Sequence, residues 1–276
     1  MFKNPYPGKF IVFGGRYFLF KNKEKVTNKL NHFIRSGKNR VHLILDFDRT
    51  ITQGKNKEGR DITVWQALIS LLPPQAQLEY KRFHDKYGVL EVNNKLSVTD
   101  AVMWWESILR LFKENRIKLL DIKRAADGMR VRPYAKDLFK ICVQKRIPVV
   151  IISAGIKNII ELFCKKEDIK PTILLSTELT FSSRGHVNGW KKETLIHVLN
   201  KKERGHQEIK KIKSPRPNTI VIGDNLNDAS MVQGEKNVLR IAINPMGAEK
   251  EFLQKFDLII KGESLLPIIK ILNLFH

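Results

Sequence analysis

Three short apolar runs, each ending in acidic or small polar residues, constrain this chain more than any other feature. They are Val41-His-Leu-Ile-Leu-Asp46, Ile147-Pro-Val-Val-Ile-Ile-Ser153 and Thr219-Ile-Val-Ile-Gly-Asp224. A run apolar on both faces and bounded by turn formers suits a strand covered on both sides. Weaker strands are read at 172–176, 238–243 and 257–260, with helical patterns at 133–145, 157–166, 192–202 and 227–234. Strands of this kind alternating with helices predict an α/β fold, a doubly wound, Rossmann-like parallel sheet.

One stretch breaks the rhythm. Residues 52–129 read as mostly helical, with helices at 75–86, 97–115 and 117–128 and no convincing core strand. That is too long for a crossover connection. It is expected to be a helical cap domain inserted after the first core strand. The core would then comprise 41–51 and 130–276, preceded by a basic lead-in over 1–40 whose conformation the sequence does not specify.

Composition excludes several classes of function. Apolar residues make up 42% of the 276, enough for a substantial core. The two cysteines, Cys142 and Cys164, stand at no metal-ligand spacing, so neither a disulfide scaffold nor a zinc module organises the chain. Apolar runs fall far short of the roughly 20 residues of a membrane helix. The N-terminus lacks a secretory pattern. A cytoplasmic protein is expected. The formal charge is +22, but its lysines are dispersed and not interleaved with aromatics as a base-stacking platform requires. No dedicated nucleic-acid partner is expected; the field would instead draw in small anions.

Ligands of open parallel sheets bind beyond the carboxyl ends of the strands. The three principal runs deliver Asp46-Phe-Asp-Arg-Thr50, Ser153-Ala-Gly155 and Gly223-Asp-Asn-Leu-Asn-Asp228 to that edge. Extended backbone puts Asp46 and Asp48 on one side and Phe47 on the other. Four carboxylates in one crevice repel one another unless a cation sits among them, and oxygen-only ligation suits Mg²⁺. Singly, each piece could be a helix cap or a turn; their conjunction points to a site.

These motifs resemble the first, second and fourth of the haloacid dehalogenase superfamily, and the second Asp of the first motif resembles its phosphatase branch. Lys86-Tyr-Gly-Val-Leu-Glu91, Met103-Trp-Trp-Glu106, Ile152-Ser-Ala-Gly-Ile156 and Gly189-Trp-Lys-Lys-Glu-Thr-Leu-Ile-His197 followed by Asn200-Lys201 are similar to the eukaryotic cytosolic pyrimidine 5'-nucleotidases. The resemblance implies that Asp46 is a nucleophile forming an aspartyl-phosphate and Asp48 a general acid and base. It implies an Mg²⁺ site from Asp46, Asp48, Asp224 and Asp228. Thr50, Ser153, Ala154 and Gly155 would bind phosphate. A third-motif lysine would join them: anchoring on Trp190 selects Lys191, anchoring on Leu195-Ile-His197 selects Lys192. Glu91 would read the base and Trp104 or Trp105 would stack on it, against the plainer readings of a solvated acid and an apolar packing pair. Thr177 in place of an expected Asn and the basic stretch 200–217 depart from the family pattern. The implied activity is hydrolysis of nucleoside 5'-monophosphates. The alternatives are another small phosphomonoester or a basic binding protein on the same fold.

Overall fold

A computed structural model describes residues 18–56, 58–93, 95–202 and 206–276. The first 17 residues of the basic lead-in, with the non-secretory reading of the N-terminus, lie outside them. The strands are β1 (Phe18–Phe20), β2 (Val41–Leu45), β3 (Val149–Ile156), β4 (Ile173–Thr177), β5 (Leu179–Phe181), β6 (Val187–Trp190), β7 (Asn218–Gly223), β8 (Val238–Ile243) and β9 (Leu258–Ile260). The helices are α1 (Lys23–Ser36), α2 (Val64–Ile69), α3 (Pro74–Val92), α4 (Val98–Glu114), α5 (Leu119–Gly128), α6 (Ala135–Lys145), α7 (Lys157–Lys166), α8 (Gln207–Lys213), α9 (Glu249–Lys255) and α10 (Leu266–Leu272).

Seven strands form one sheet in the order β1-β9-β8-β7-β2-β3-β4; β1 is antiparallel to β9 and the other pairs are parallel. Every residue of β2 is buried, and alternation sends its side chains both ways. Leu43 and Leu45 join the cluster that includes Phe139 of α6 and Ile160 and Phe163 of α7. Ile44 joins Ile209 of α8 and Met231 on the other face. Double coverage explains why the central strands read as unbroken apolar runs. The parallel directions bring the ends of β2, β3 and β7 to one edge.

Between β2 and β3 lie α2 to α5. Ser97 caps α4 by accepting from Asp100 N at 3.0 Å, with the Asp100 carboxylate reaching back to the cap. The buried face of α4 carries Ala101, Trp104, Trp105, Ile108 and Phe112, the helical spacing of an amphipathic element.

The structure adds to or differs from the sequence reading in five places. Within the described part of the lead-in, β1 extends the sheet and α1 buries Val26, Leu30 and Phe33. α2 and the β5–β6 hairpin were not anticipated. The helix expected over 192–202 is a single 3₁₀ turn (Lys192–Thr194) followed by irregular chain. There Asn200 Oδ1 accepts from His197 N at 2.7 Å, Asn200 Nδ2 donates to Leu195 O at 2.9 Å, and Leu199 N donates to His197 Nδ1 at 3.2 Å. Side chains that bond the local backbone in this way compete with helix formation. The segment expected as a helix over 227–234 is likewise a 3₁₀ turn, Leu226–Met231.

Candidate active site

Asp46 follows the last residue of β2, with its amide donating to Ile222 O of β7 at 3.0 Å. Phe47 turns into the core, edge-on to Phe163 at 5.2 Å, so Asp46 and Asp48 face the sheet edge. Asp48 Oδ1 accepts from the amide of Val64, the first residue of α2, at 2.9 Å. Ser153 sits inside β3, its Oγ accepting from Gly155 N at 3.0 Å. A Cβ at Gly155 would come within 3.0 Å of Val64 Cβ; glycine lets α2 close down on the loop. Asp224 follows β7, and a Cβ on Gly223 would overlap the Asp228 carboxyl group.

The lysine of the site is Lys201. Its buried ammonium donates to Asp46 Oδ1, and to Asp228 Oδ1 at 2.7 Å. This corrects the expectation of Lys191 or Lys192. Lys191 is an exposed partner of Glu178, beside Lys157 which bonds the same carboxylate at 2.8 Å. Lys192 is exposed in the 3₁₀ turn. The turn tied by His197 and Asn200 carries the chain onward until Lys201 meets the carboxylates. The sequence did carry a signal, since Asn200-Lys201 belongs to the pattern similar to the pyrimidine 5'-nucleotidases, but the lysine was sought nearer Trp190.

Thr50 is fully buried, and its hydroxyl donates to Asp224 Oδ1 at 3.4 Å. Asp228 is held at both oxygens: Oδ1 by Lys201 and Oδ2 by the amides of Asp224 and Asn225 at 3.1 and 2.9 Å.

Burial dominates the electrostatics. It pushes Asp46 up to about 6, with Lys201 opposing and Asp228 assisting. It pushes Asp48 up to about 7, with Asp46 assisting. Asp224 is raised by burial, then by Asp46 and Asp228. For Lys201, burial works against the charge, but Asp228 and Asp46 outweigh it and hold the ammonium above its ordinary range. An excess of crowded carboxylate over cation favours the binding of a further positive charge. Oxygens of Asp46, Asp224 and Asp228 all lie within 4.8 Å of one another. An oxygen-only set of this size fits a hard divalent ion.

The opposite wall is aromatic. A cavity of about 270 Å³ is bounded by Asp46, Asp48, Ser153 and Asp224 on one side and by Trp65, Tyr80, His84, Glu91, Trp104 and Trp105 on the other. The structure therefore brings Glu91, Trp104 and Trp105 to the same cavity as the carboxylates. Trp104 stacks on Tyr87 at 5.9 Å and meets Trp105 edge-on at 4.9 Å. Burial raises the Glu91 carboxyl above its usual range. The indole N–H groups of Trp65 and Trp105 both donate to Ala154 O, at 2.9 and 3.0 Å. These two bonds join α2 and α4 to the Ser153–Gly155 loop. Trp65, Tyr80, His84 and Arg49 were not anticipated as parts of the site. For Trp65 a signal existed: Thr63 and Gln66 form a capping box, the mark of a helix start.

A parallel α/β sheet with this carboxylate edge defines a haloacid dehalogenase-type phosphatase fold. The model of the pyrimidine 5'-nucleotidase (UMPH-1) family matches residues 49–274, and the chain belongs to that family. It is thereby a phosphoric monoester hydrolase of the 5'-nucleotidase type. Among curated relatives, 7-methylguanosine phosphate-specific 5'-nucleotidase A of Xenopus laevis is 26% identical, covering 94% of this chain and 95% of its own. The Homo sapiens 7-methylguanosine phosphate-specific 5'-nucleotidase is 23% identical, covering 91% and 89%. The solved cytosolic 5'-nucleotidase IIIB bound to cytidine superposes with a TM-score of 0.81 at 21% identity, over 95% of this chain and 94% of its own. A phosphoserine phosphatase, as a phospho-aspartyl intermediate analogue, gives 0.59 at 19% identity over 84% and 98%.

Proposed function

We propose that the protein is a Mg²⁺-dependent nucleoside 5'-monophosphate phosphatase selecting bases that carry an exocyclic amine beside a ring nitrogen. The observation that carries this reading is the single cavity shared by the Asp46 cluster and by Glu91 with Trp104. A carboxylate accepts from an amine and meets only acceptors on a carbonyl, so cytosine and 7-methylguanine suit Glu91 and uracil does not. Both bases occur in the names of similar proteins. A flat, buried indole offers stacking to either, and more to a cationic methylated base.

Asp46 and Asp224 would hold the ion together with substrate oxygens, while Asp228, bonded at both oxygens, orients Lys201 and the loop. The ion when bound would neutralise phosphoryl charge. Asp46 would attack phosphorus through Oδ2, since Oδ1 is held by Lys201. The leaving nucleoside oxygen takes a proton from Asp48, whose value of about 7 suits an acid that later acts as base toward water. Gly155 N and Ser153 would turn from each other to the phosphate. Segment 52–129 would act as a cap that excludes water from the acyl-phosphate. The family and the unpaired thiols of Cys142 and Cys164 support a cytoplasmic setting; among the described residues no helix is long and apolar enough to cross a membrane.

Phosphate release from CMP, UMP, 7-methyl-GMP, a sugar phosphate and an aryl phosphate, with Mg²⁺ and with chelator, tests the proposal. Turnover of CMP or 7-methyl-GMP well above UMP supports it. Equal rates on all five, or full activity in chelator, overturn it.

A further inference from the structure

We infer that Arg49 binds the substrate's phosphoryl group, its guanidinium donating to the non-bridging oxygens of a phosphomonoester. This rests on the phosphatase reading above.

The backbone of Arg49 lies in the left-handed region at φ 53°, a conformation that costs any residue with a side chain and persists only where the surroundings impose it. Here they do. Arg49 N donates to Thr52 Oγ1 at 3.0 Å. Arg49 O accepts from the guanidinium of Arg132, a side chain 2% exposed whose other arm pairs with Glu263 at 3.0 Å. Any Cβ at Gly54 would overlap the Arg49 side chain at Cγ. A buried arginine and a threonine thus hold the Arg49 backbone, and Gly54 leaves room for its side chain.

Arg49 lines the same cavity as Asp46, Asp48, Ser153 and Asp224. Its Nε is buried without a hydrogen-bond partner, and among the described residues Arg49 forms no ion pair. Its charge favours the ionised forms of Asp48 and Asp224 at longer range. The cavity's other cation, Lys201, is already bonded to Asp46 and Asp228. Among the described lysines and arginines that line the cavity, Arg49 is therefore the one without an ion-pair partner, and its Nε is an open donor. A planar guanidinium matches tetrahedral phosphate through paired N–H donors. A dianionic phosphoryl group approaching Asp46 would otherwise meet net repulsion from the carboxylates.

Calorimetric titration of inorganic phosphate in the presence of Mg²⁺, into wild type, Arg49→Met and Arg49→Lys, decides the matter alongside the Tm of each. Loss of a charge-assisted pair predicts roughly ten- to hundred-fold weaker phosphate binding by Arg49→Met, because such bonds are worth that factor, with Tm near wild type. Arg49→Lys recovers part of the loss, keeping the charge but not the fork. Equal affinity in wild type and Arg49→Met overturns the inference, as does a wild type that binds no phosphate. If Arg49→Met fails to fold, Arg49→Lys carries the test: at unchanged Tm it must bind phosphate more weakly than wild type, and equal affinity overturns the inference. Hydrolysis of CMP and an aryl phosphate separates this from the phosphatase reading. A wild type that hydrolyses neither, yet loses phosphate affinity on Arg49→Met, keeps Arg49 as an anion-binding residue and removes the phosphatase.

Discussion

The two walls of the cavity are built on opposite physical plans. The sheet wall is ionic: Asp46, Asp224 and Asp228 crowd around Lys201, and each group is braced by a hydroxyl, an amide or a counter-charge. The helical wall is aromatic, with Trp65, Trp104, Trp105 and Tyr80 and one carboxylate, Glu91, held in a partly buried place. A charged, preorganised wall serves bond making and breaking. A flat, apolar wall with one acceptor serves choice among bases. Under the proposed function the contrast would place chemistry in one region and selectivity in the other; Trp65 and Trp105 of the helical wall both donate to Ala154 O.

The largest effect should come from the sheet wall. Asp46→Asn cannot form an acyl-phosphate, and phosphate release should fall below detection while circular dichroism stays native. Residual turnover near wild type would break the ionic-wall assignment. Chelation comes next: EDTA should silence release and Mg²⁺ restore it, with Ca²⁺ restoring it poorly because its coordination is larger and looser.

Lys201→Met should lower kcat/KM by about a hundred-fold or more, since losing one preorganised charged donor beside the reacting carboxylate costs about 10²–10³ in rate. Lys191→Met, which removes only an exposed partner of Glu178, should stay within about two-fold. The reverse ranking would return the phosphate role to Lys191. Trp105→Phe removes one of two donors to Ala154 O, and a lost neutral hydrogen bond is worth about 0.5–1.5 kcal/mol. A rise in KM of roughly two- to ten-fold is expected for nucleotide and aryl phosphate alike, because the loop serves both. A change confined to nucleotides would place Trp105 wholly in base selection.

Legibility in the sequence follows the same division. The ionic wall hangs on strand ends, where apolar runs stop at Asp46, Ser153 and Asp224, so chain position and spatial position coincide. Lys201 stood in the sequence only as part of the Asn200-Lys201 pair, and its role was missed because its place depends on side-chain bonds of His197 and Asn200 that defeat the helical pattern around them. For Thr50 the sequence shows that a hydroxyl is near the edge but not that it faces Asp224. In the helical wall, α4 was legible from its cap and apolar spacing, whereas six-residue α2 is too short for periodicity to register. α1 carried readable signs, an Asn22 cap and Val26, Leu30 and Phe33 on one face, masked by the basic composition around them.

The division of labour is tested most directly by kcat/KM for CMP, 7-methyl-GMP, UMP and an aryl phosphate in wild type, Lys201→Met and Glu91→Gln. Lys201→Met should lower all four together. Glu91→Gln should lower the amine-bearing nucleotides roughly ten- to hundred-fold, the worth of a charged hydrogen bond, and leave the aryl phosphate unchanged. If Glu91→Gln lowers the aryl phosphate as much as the nucleotides, the helical wall takes part in the chemistry and the account fails.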